Sequence, residues 1–343
     1  MREALQRAWL RRGVPARLLW PVSLLYGALA AARRAAYRAG LLRVTSLPVP
    51  VIVVGNVVAG GAGKTPVVTA LLEHLAARGI EAGVVSRGYG RQTTDCRAVE
   101  PDSLPADVGD EPLLIARTGA PVFVARRRVD AARALLLAHP RTQVIVSDDG
   151  LQHLALARDI EICVFDARGT GNGWLLPAGP LREKWPRPAD LVLQAGDGPG
   201  AGGWAMRRTL ASFAVSADGT RIEWAELRQR HLTAVAGIAN PRAFFDMLRE
   251  NGLQPDRTIA LADHHDYAAP PVPGDEAIVC TEKDAVKLWR LRPDAWAVPL
   301  RVEIPRGFWD ALDRLLDAKL SSPHGSQTDR VAGVPRHEGS PRP

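Results

Sequence analysis

The sequence predicts an α/β fold: a mostly parallel sheet with helices on both faces, a smaller C-terminal α/β unit, and an N-terminal helical arm suited to a membrane surface. Three observations predict it. Val51-Ile52-Val53-Val54 leads through a glycine-rich turn to Lys64-Thr65 and an apolar-periodic helix. Short apolar runs then alternate with helical periodicity over most of the chain, the pattern of a parallel sheet covered by helices. Finally, residues before Arg43 combine an apolar run with flanking arginines.

The 343 residues are enough for two cores, with 46% apolar and 24% charged residues as in ordinary globular proteins. Cys96, Cys163 and Cys280 are isolated, lack the paired spacing of a zinc site, and suit a reducing compartment. Of the formal net charge of +7, residues 1–43 hold nine arginines against Glu3, so the body is nearly neutral. That distribution points to a localised anionic partner and away from nucleic acid.

The arm, residues 1–45, is not read as a signal peptide, because arginines flank its apolar run on both sides. Leu18 to Ala32 is uncharged but broken by Pro21, and falls short of the ~20 residues of a membrane span. Leu18, Val22, Leu25, Tyr26 and Leu29 share a helical face, and Trp9 and Trp20 suit interfacial depth. An in-plane pair of amphipathic helices is expected. A helix packed on the protein's own core fits the same pattern.

Residues 46–208 are expected to form the main domain. Strands are read at Val51–Val54, Ala82–Ser86, Pro121–Val124, Val144–Ser147, Glu161–Phe165 and Leu191–Leu193. A Gly/Pro/Ala stretch at 196–203 marks a loop or boundary. Residues 209–320 are expected as the smaller α/β domain, with strands at Phe213–Ser216, Ile222–Leu227, Leu232–Gly237 and Ala277–Thr281 and a last helix near Phe308–Leu320. The tail, 321–343, lacks apolar periodicity and reads as disordered.

The turn after the first strand is a phosphate cradle. Gly60, Gly61, Ala62 and Gly63 let backbone N–H groups turn inward, the helix N-terminus adds its positive end, and Lys64 reaches the outer phosphates. Thr65, followed by Pro66, can ligate magnesium. The usual G-x-x-x-x-G-K-[ST] spacing places glycine at position 58, where this chain has Val58.

Val144-Ile145-Val146-Ser147-Asp148-Asp149 delivers two acids to a strand's C-terminal end, where open α/β sheets bind ligands and an acid can hold the metal. Gly109-Asp110-Glu111-Pro112 starts a helix, so Asp110 is either an N-cap or a general base near the γ-phosphate. Arg87, in Ser86-Arg87-Gly88-Tyr89-Gly90-Arg91, can meet an anion, as can Arg126-Arg127-Arg128, although a charge run is more often a solvated face. Leu175 to Glu183 is an apolar loop ending in Arg182-Glu183. Asp263-His264-His265-Asp266 fits a metal site, a base-assisting histidine or a polar loop, and Thr281-Glu282-Lys283-Asp284 misses the guanine-reading pattern by one position.

In this order the motifs resemble the lipid A 4'-kinase family (tetraacyldisaccharide 4'-kinase), from about residue 15 to 320. The motifs are Gly55-Asn56, Gly60-Gly61, Gly63-Lys64-Thr65-Pro66, Ser86 to Gly90, Gly109 to Pro112, Asp148 to His153, Leu176 to Glu183, Asp263-His264 and Thr281 to Asp284. Val58 and Ala62 stand where that family commonly has threonine. The resemblance implies transfer of the ATP γ-phosphate, with Mg2+, to the 4'-hydroxyl of tetraacyldisaccharide 1-phosphate. It implies Asp110 as base paired with His264, Lys64 in catalysis, Arg87 on phosphate or substrate, and Asp149 and Glu183 as magnesium partners with Thr65, the choice between Asp148 and Asp149 staying open. It further implies an acylated disaccharide lipid as partner and a peripheral or monotopic place on the cytoplasmic face of the inner membrane, with no nucleic acid and no obligate protein partner. A surface-dimerising switch ATPase is the rival reading, but Ala59 stands where its signature lysine belongs. A soluble kinase for a small polar acceptor is the other.

Overall fold

The structure, a computed structural model, describes residues 9–61, 63–196, 202–272, 274 and 276–321. The large sheet contains β1 (Val51–Gly55), β2 (Ala82–Ser86), β3 (Arg97–Ala98), β4 (Val122–Val124), β5 (Val144–Asp148), β6 (Ile160–Phe165), β7 (Leu191–Ala195), β8 (Trp204–Leu210) and β15 (Leu300–Glu303). Their order is β15-β8-β7-β6-β1-β5-β2-β4-β3, with parallel pairing from β8 to β4 and an antiparallel strand at each edge.

β1 shows why this sheet needs helices on both faces. Its residues are buried throughout, and alternation sends Val51 and Val53 into one core, Ile52 and Val54 into the other. Helix α2 (Lys64–Ala77) covers the second core with Val67, Val68, Leu71, Leu72 and Leu75. The first core takes Val129, Ala131, Ala132 and Leu135 from the helix Arg128–Ala138. Between them in the chain lie α3 (Pro105–Val108) and α4 (Asp110–Ala116), so Arg128–Ala138 is α5.

The smaller sheet has β9 (Phe213–Val215), β10 (Arg221–Glu223), β11 (Leu232–Ala236), β12 (Arg257–Ala260), β13 (Ala277–Thr281) and β14 (Trp296–Val298), in the order β10-β9-β14-β13-β11-β12. Its helices are α6 (Trp224–Leu227), α7 (Pro241–Glu250) and α8 (Glu282–Leu288). Ile222–Leu227, expected as one strand, is β10 followed by α6. Trp224 and Leu227 are both buried, and a spacing of three places them on one helical face.

The chain then returns to the large sheet. β15 pairs with β8, and α9 (Arg306–Leu320) lays Phe308, Leu312 and Leu316 into the core shared with α2. His74 of α2 stacks on Trp309 at 4.3 Å, and Arg78 pairs with Asp313 at 2.8 Å. The sequence reading groups both elements with the smaller unit. Periodicity identifies the apolar face of α9 but not the sheet that face covers.

The arm also differs from expectation. It is one helix, α1 (Val14–Arg38), with Pro21 in its interior, and not a pair broken there. Hydrogen bonds along one side hold it to the loop after β6. Ser23 Oγ donates to Leu175 O (2.9 Å), Tyr26 Oη to Arg182 O (2.8 Å) and Trp9 Nε1 to Pro177 O (2.9 Å). Of α1's residues only Ala16 and Ser23 are buried, while Leu18, Leu25 and Leu29 are each more than 60% exposed. The helix is long and apolar enough to cross a membrane by length and composition. Residues 1–8 of the expected arm, and the tail beyond residue 321, lie outside the described residues.

Candidate active site

The phosphate loop begins later than the standard spacing requires. Val58 is buried in the core of the large sheet and bridges to Leu181, so it belongs to the scaffold and not to the loop. Flanking bonds from Ala59 N to Pro180 O and from Arg182 N to Val57 O, both 2.7 Å, fasten the Leu175–Glu183 loop beside it. Gly63 caps α2 at φ 71°, and a Cβ there would also collide with the Arg208 guanidinium. The left-handed φ is what favours glycine here, since the arginine's flexible end can move aside. Lys64, Thr65 and Pro66 form the first turn of α2. Gly60 and Gly61 are exposed, and Ala62 lies outside the described residues.

β1 and β5 are paired neighbours, so the strand order reverses beside the loop and the acids at the end of β5 fall next to it. Lys64 Nζ lies 3.4 Å from Asp149 Oδ1, and Arg182 Nη1 is 3.2 Å from the same oxygen. Asp149 takes a left-handed φ of 47°, a conformation uncommon outside glycine and concentrated at functional sites. Arg128, the buried member of the arginine run, donates to the carbonyls of Asp148 (3.0 Å) and Asp149 (2.7 Å), fixing this turn.

The two acids are driven apart electrostatically. Burial of Asp148, aided by Glu111 and Asp149, pushes its carboxyl up to about 7 against Lys64 and Arg128. Burial also acts upward on Asp149, but Lys64, Arg182 and Arg128 outweigh it and hold that carboxyl below its ordinary range. Asp148 Oδ2 accepts from Ser86 Oγ at 3.2 Å, while Oδ1 is buried without a protein partner. An orphaned carboxylate oxygen beside a phosphate loop fits a cation. Among the described residues no three His, Cys, Asp or Glu side chains gather into a metal cage. A magnesium ion carried by nucleotide phosphates needs only one or two protein oxygens, so the site fits that ion.

Glu183 sits differently from the expectation that groups it with the metal. It accepts from Gln152 Nε2 at 2.7 Å and pairs with Arg187 (3.2 Å) and Arg34 of α1 (3.6 Å). Gln152 in turn donates to Asn56 O at 3.1 Å, linking this acid to the start of the phosphate loop.

Asp110 is the first residue of α4, whose N-cap is Gly109, and its side chain makes no capping bond, so the cap reading does not hold. Gly109 has φ 93° and a Cβ there would press on Tyr89 O at 2.9 Å, which lets the 88–90 turn approach. Asp110 Oδ2 lies 3.1 Å from His264 Nδ1 and 2.8 Å from Lys287 Nζ. Burial raises the Asp110 carboxyl, but the bonds from His264 and Lys287 prevail and leave it lowered. His264, at φ 62°, also meets Lys283 Nζ through Nε2 at 3.1 Å. Asp110, His264 and Lys287 line a cleft of about 460 Å³ with Tyr89, Gln92 and Arg290, between elements of the large and small sheets.

Lys287, Arg168 and Arg208 escaped the sequence reading. Arg168 donates to Gly61 O at 3.2 Å, and Arg208 packs on Gly63, so both stand over the phosphate loop. No local pattern marks either arginine, but Lys287 follows Lys283 by one helical turn, a signal the sequence contains. Arg87 is exposed at the end of β2. Asp284 is structural: it is buried and accepts from Gly237 N (3.0 Å), Tyr267 Oη (2.8 Å) and Thr281 Oγ1 (2.6 Å).

Comparison with known proteins bears on this geometry. A sequence profile of the tetraacyldisaccharide-1-P 4'-kinase family matches residues 15–317. A tetraacyldisaccharide 4'-kinase of Acidovorax sp. (strain JS42) is 60% identical over 327 residues, covering 94% of this chain and 97% of its own. The same enzyme of Delftia acidovorans is 54% identical, covering 92% and 95%. The crystal structure of LpxK from Aquifex aeolicus in complex with ATP superposes with a TM-score of 0.77 at 27% identity, covering 88% of this chain and 100% of that one.

Proposed function

The chain belongs to the tetraacyldisaccharide-1-P 4'-kinase family and is an ATP-dependent kinase of lipid A biosynthesis, and on that premise we propose how its own residues divide the work. The observation that carries the assignment is the 86–90 turn that joins two groups, with Ser86 Oγ bonded to Asp148 beside the phosphate loop and Gly88 and Tyr89 against Gly109, which precedes Asp110. The phosphate loop with Lys64 and Asp149 supplies charge for a nucleotide, and Asp110 with His264 supplies a base.

Phosphoryl transfer needs positioning and charge neutralisation more than covalent chemistry. Backbone N–H groups around Gly60, Gly61 and Gly63 and the α2 N-terminus hold the phosphates, and Lys64 reaches the γ-phosphate. Arg87, Arg168 and Arg208 add positive charge around it. The 4'-hydroxyl oxygen of the acylated disaccharide attacks the γ-phosphorus as the bond to the β,γ-bridging oxygen breaks and ADP leaves. Asp110 takes the hydroxyl proton. Thr65, Asp148 and Asp149 would hold magnesium, which draws charge from the phosphate oxygens when bound. Glu183 stands one layer behind, ordering Gln152 and Arg34.

Support for the arm's place comes from the exposed apolar face of α1 and its arginines. The arm lies at the cytoplasmic face of the inner membrane, where the acceptor's acyl chains remain in the bilayer. Residues 46–208 bind the nucleotide, and the smaller unit brings His264, so closure of the cleft completes the site.

The test is incubation of purified protein with magnesium, γ-labelled ATP and tetraacyldisaccharide 1-phosphate in mixed micelles, beside a Lys64→Ala control. Label passing to the lipid only in the unaltered protein is expected. No transfer by protein that is folded and binds ATP would return the choice to a switch ATPase or a soluble acceptor.

A further inference from the structure

We propose that Lys283 and Lys287, one turn apart on α8, are positioning residues that set the protonation geometry of the Asp110–His264 pair. The inference rests on Asp110 as the base.

Each lysine holds one member of the pair. Lys287 Nζ is 2.8 Å from Asp110 Oδ2, with both side chains almost wholly buried. The bond from His264 falls on the same oxygen. Oδ2 is thereby committed to the protein, and Oδ1 is the oxygen that can accept the hydroxyl proton. Lys283 Nζ is 3.1 Å from His264 Nε2 and 3.3 Å from Asp263 Oδ1. An ammonium has only donors, so Nε2 must accept. The neutral ring then carries its proton on Nδ1 and donates it to Asp110, an assignment made from the bonding partners.

The helix that carries both lysines is itself held rigidly. Thr281 caps it, accepting from Asp284 N at 3.1 Å, and the Asp284 carboxylate accepts from Gly237 N. His264 N donates to Gly237 O at 3.1 Å, so one glycine ties the histidine loop to the start of the lysine helix. α8 also packs directly on α4, which starts at Asp110. The lysines and His264 are therefore fixed to one another, and α8 carries them against Asp110 where α4 packs on it.

The experiment compares Asp110→Asn, Lys287→Met, Lys287→Arg, Lys283→Met and the Asp110→Asn/Lys287→Met double variant of the full chain. Readouts are kcat, KM for both substrates, binding of a fluorescent ATP analogue, and the thermal melt. We expect Lys287→Met to lower kcat about 10²-fold with ATP affinity unchanged, since misplacing a catalytic group by an ångström costs that much. Lys287→Arg should restore part of it, and Lys287→Met should add nothing in the Asp110→Asn background. Lys283→Met should move the His264 ¹⁵N shifts away from the Nδ1–H tautomer. If Lys287→Met fails to fold, Lys287→Gln takes its place. Wild-type kcat in both lysine variants, with Asp110→Asn inactive, would overturn this inference alone. Wild-type turnover of Asp110→Asn would overturn the base itself.

Discussion

His264 Nδ1 stands 3.1 Å from Asp110 Oδ2, although 154 residues separate them in the chain. Asp110 heads α4 on the large sheet, and His264 sits in the loop that follows β12 of the small one. This bond, with that from Lys287 to the same oxygen, makes the base depend on how the sheets meet. Asp110→Ala should lower kcat by about 10²- to 10⁴-fold with nucleotide affinity little changed. His264→Ala should fall in the same parameter but less far, because the carboxylate survives it. Steady-state kinetics paired with direct ATP binding separates the effects, and a loss confined to KM for ATP would count against the assignment.

Lys64 faces Asp149 at 3.4 Å in the structure. Nucleotide phosphates compete for that ammonium, so Lys64→Ala should weaken both ATP binding and turnover, the latter by 10²-fold or more. Asp149→Asn should instead weaken the magnesium dependence of the reaction. A magnesium titration of initial rate at saturating ATP reads the difference. An unchanged magnesium requirement in Asp149→Asn would leave Asp148 as the acid that matters.

Helix α1 exposes Leu18, Leu25 and Leu29 on a stretch with few buried residues. Replacing these three by glutamine should abolish flotation with anionic phospholipid vesicles while transfer to substrate in detergent micelles persists. The bonds from Ser23 and Tyr26 to the loop after β6 are left in place, so the fold should tolerate the change. Equal vesicle binding by the triple variant would remove the arm from membrane attachment.

His153 offers a pH prediction. Burial, with Arg128, Arg158 and Arg33 nearby, lowers its pKa to about 4. The unfolded chain binds this proton near the usual 6.5 and the folded chain does not, so its contribution to stability falls as pH drops from about 6.5 to about 4 and is unaffected above that window. His153→Gln should flatten the decline of the melting temperature between those values. A decline identical to the unaltered protein's would show that other groups govern it.

What the sequence revealed was local. The strand, glycines and lysine of the phosphate loop, and Asp148-Asp149 at a strand end, are contiguous patterns whose geometry follows from neighbouring residues. β8 shows no legible period, because only Met206 and Leu210 are buried and Arg207-Arg208 interrupts its apolar alternation. β15 is four residues of partly buried or exposed chain, too short to show a period. The site divides the same way. Asp110 and His264 could be singled out, whereas the arginines over Gly61 and Gly63, and the partners of Glu183, depend on segments that meet only in the folded chain.

The return of the chain to β15 and α9 has a consequence for how this protein is made. Phe308, Leu312 and Leu316 complete the core that also holds Ile52 and Val54 of the first strand. While the ribosome is still adding residues before 300, the nucleotide-binding sheet lacks an edge strand and leaves part of a hydrophobic face bare. The small sheet, by contrast, is encoded without interruption from 213 to 298. Synthesis therefore delivers the inserted sheet whole before its host can close, and a nascent chain stalled short of Arg306 is one that chaperones should recognise.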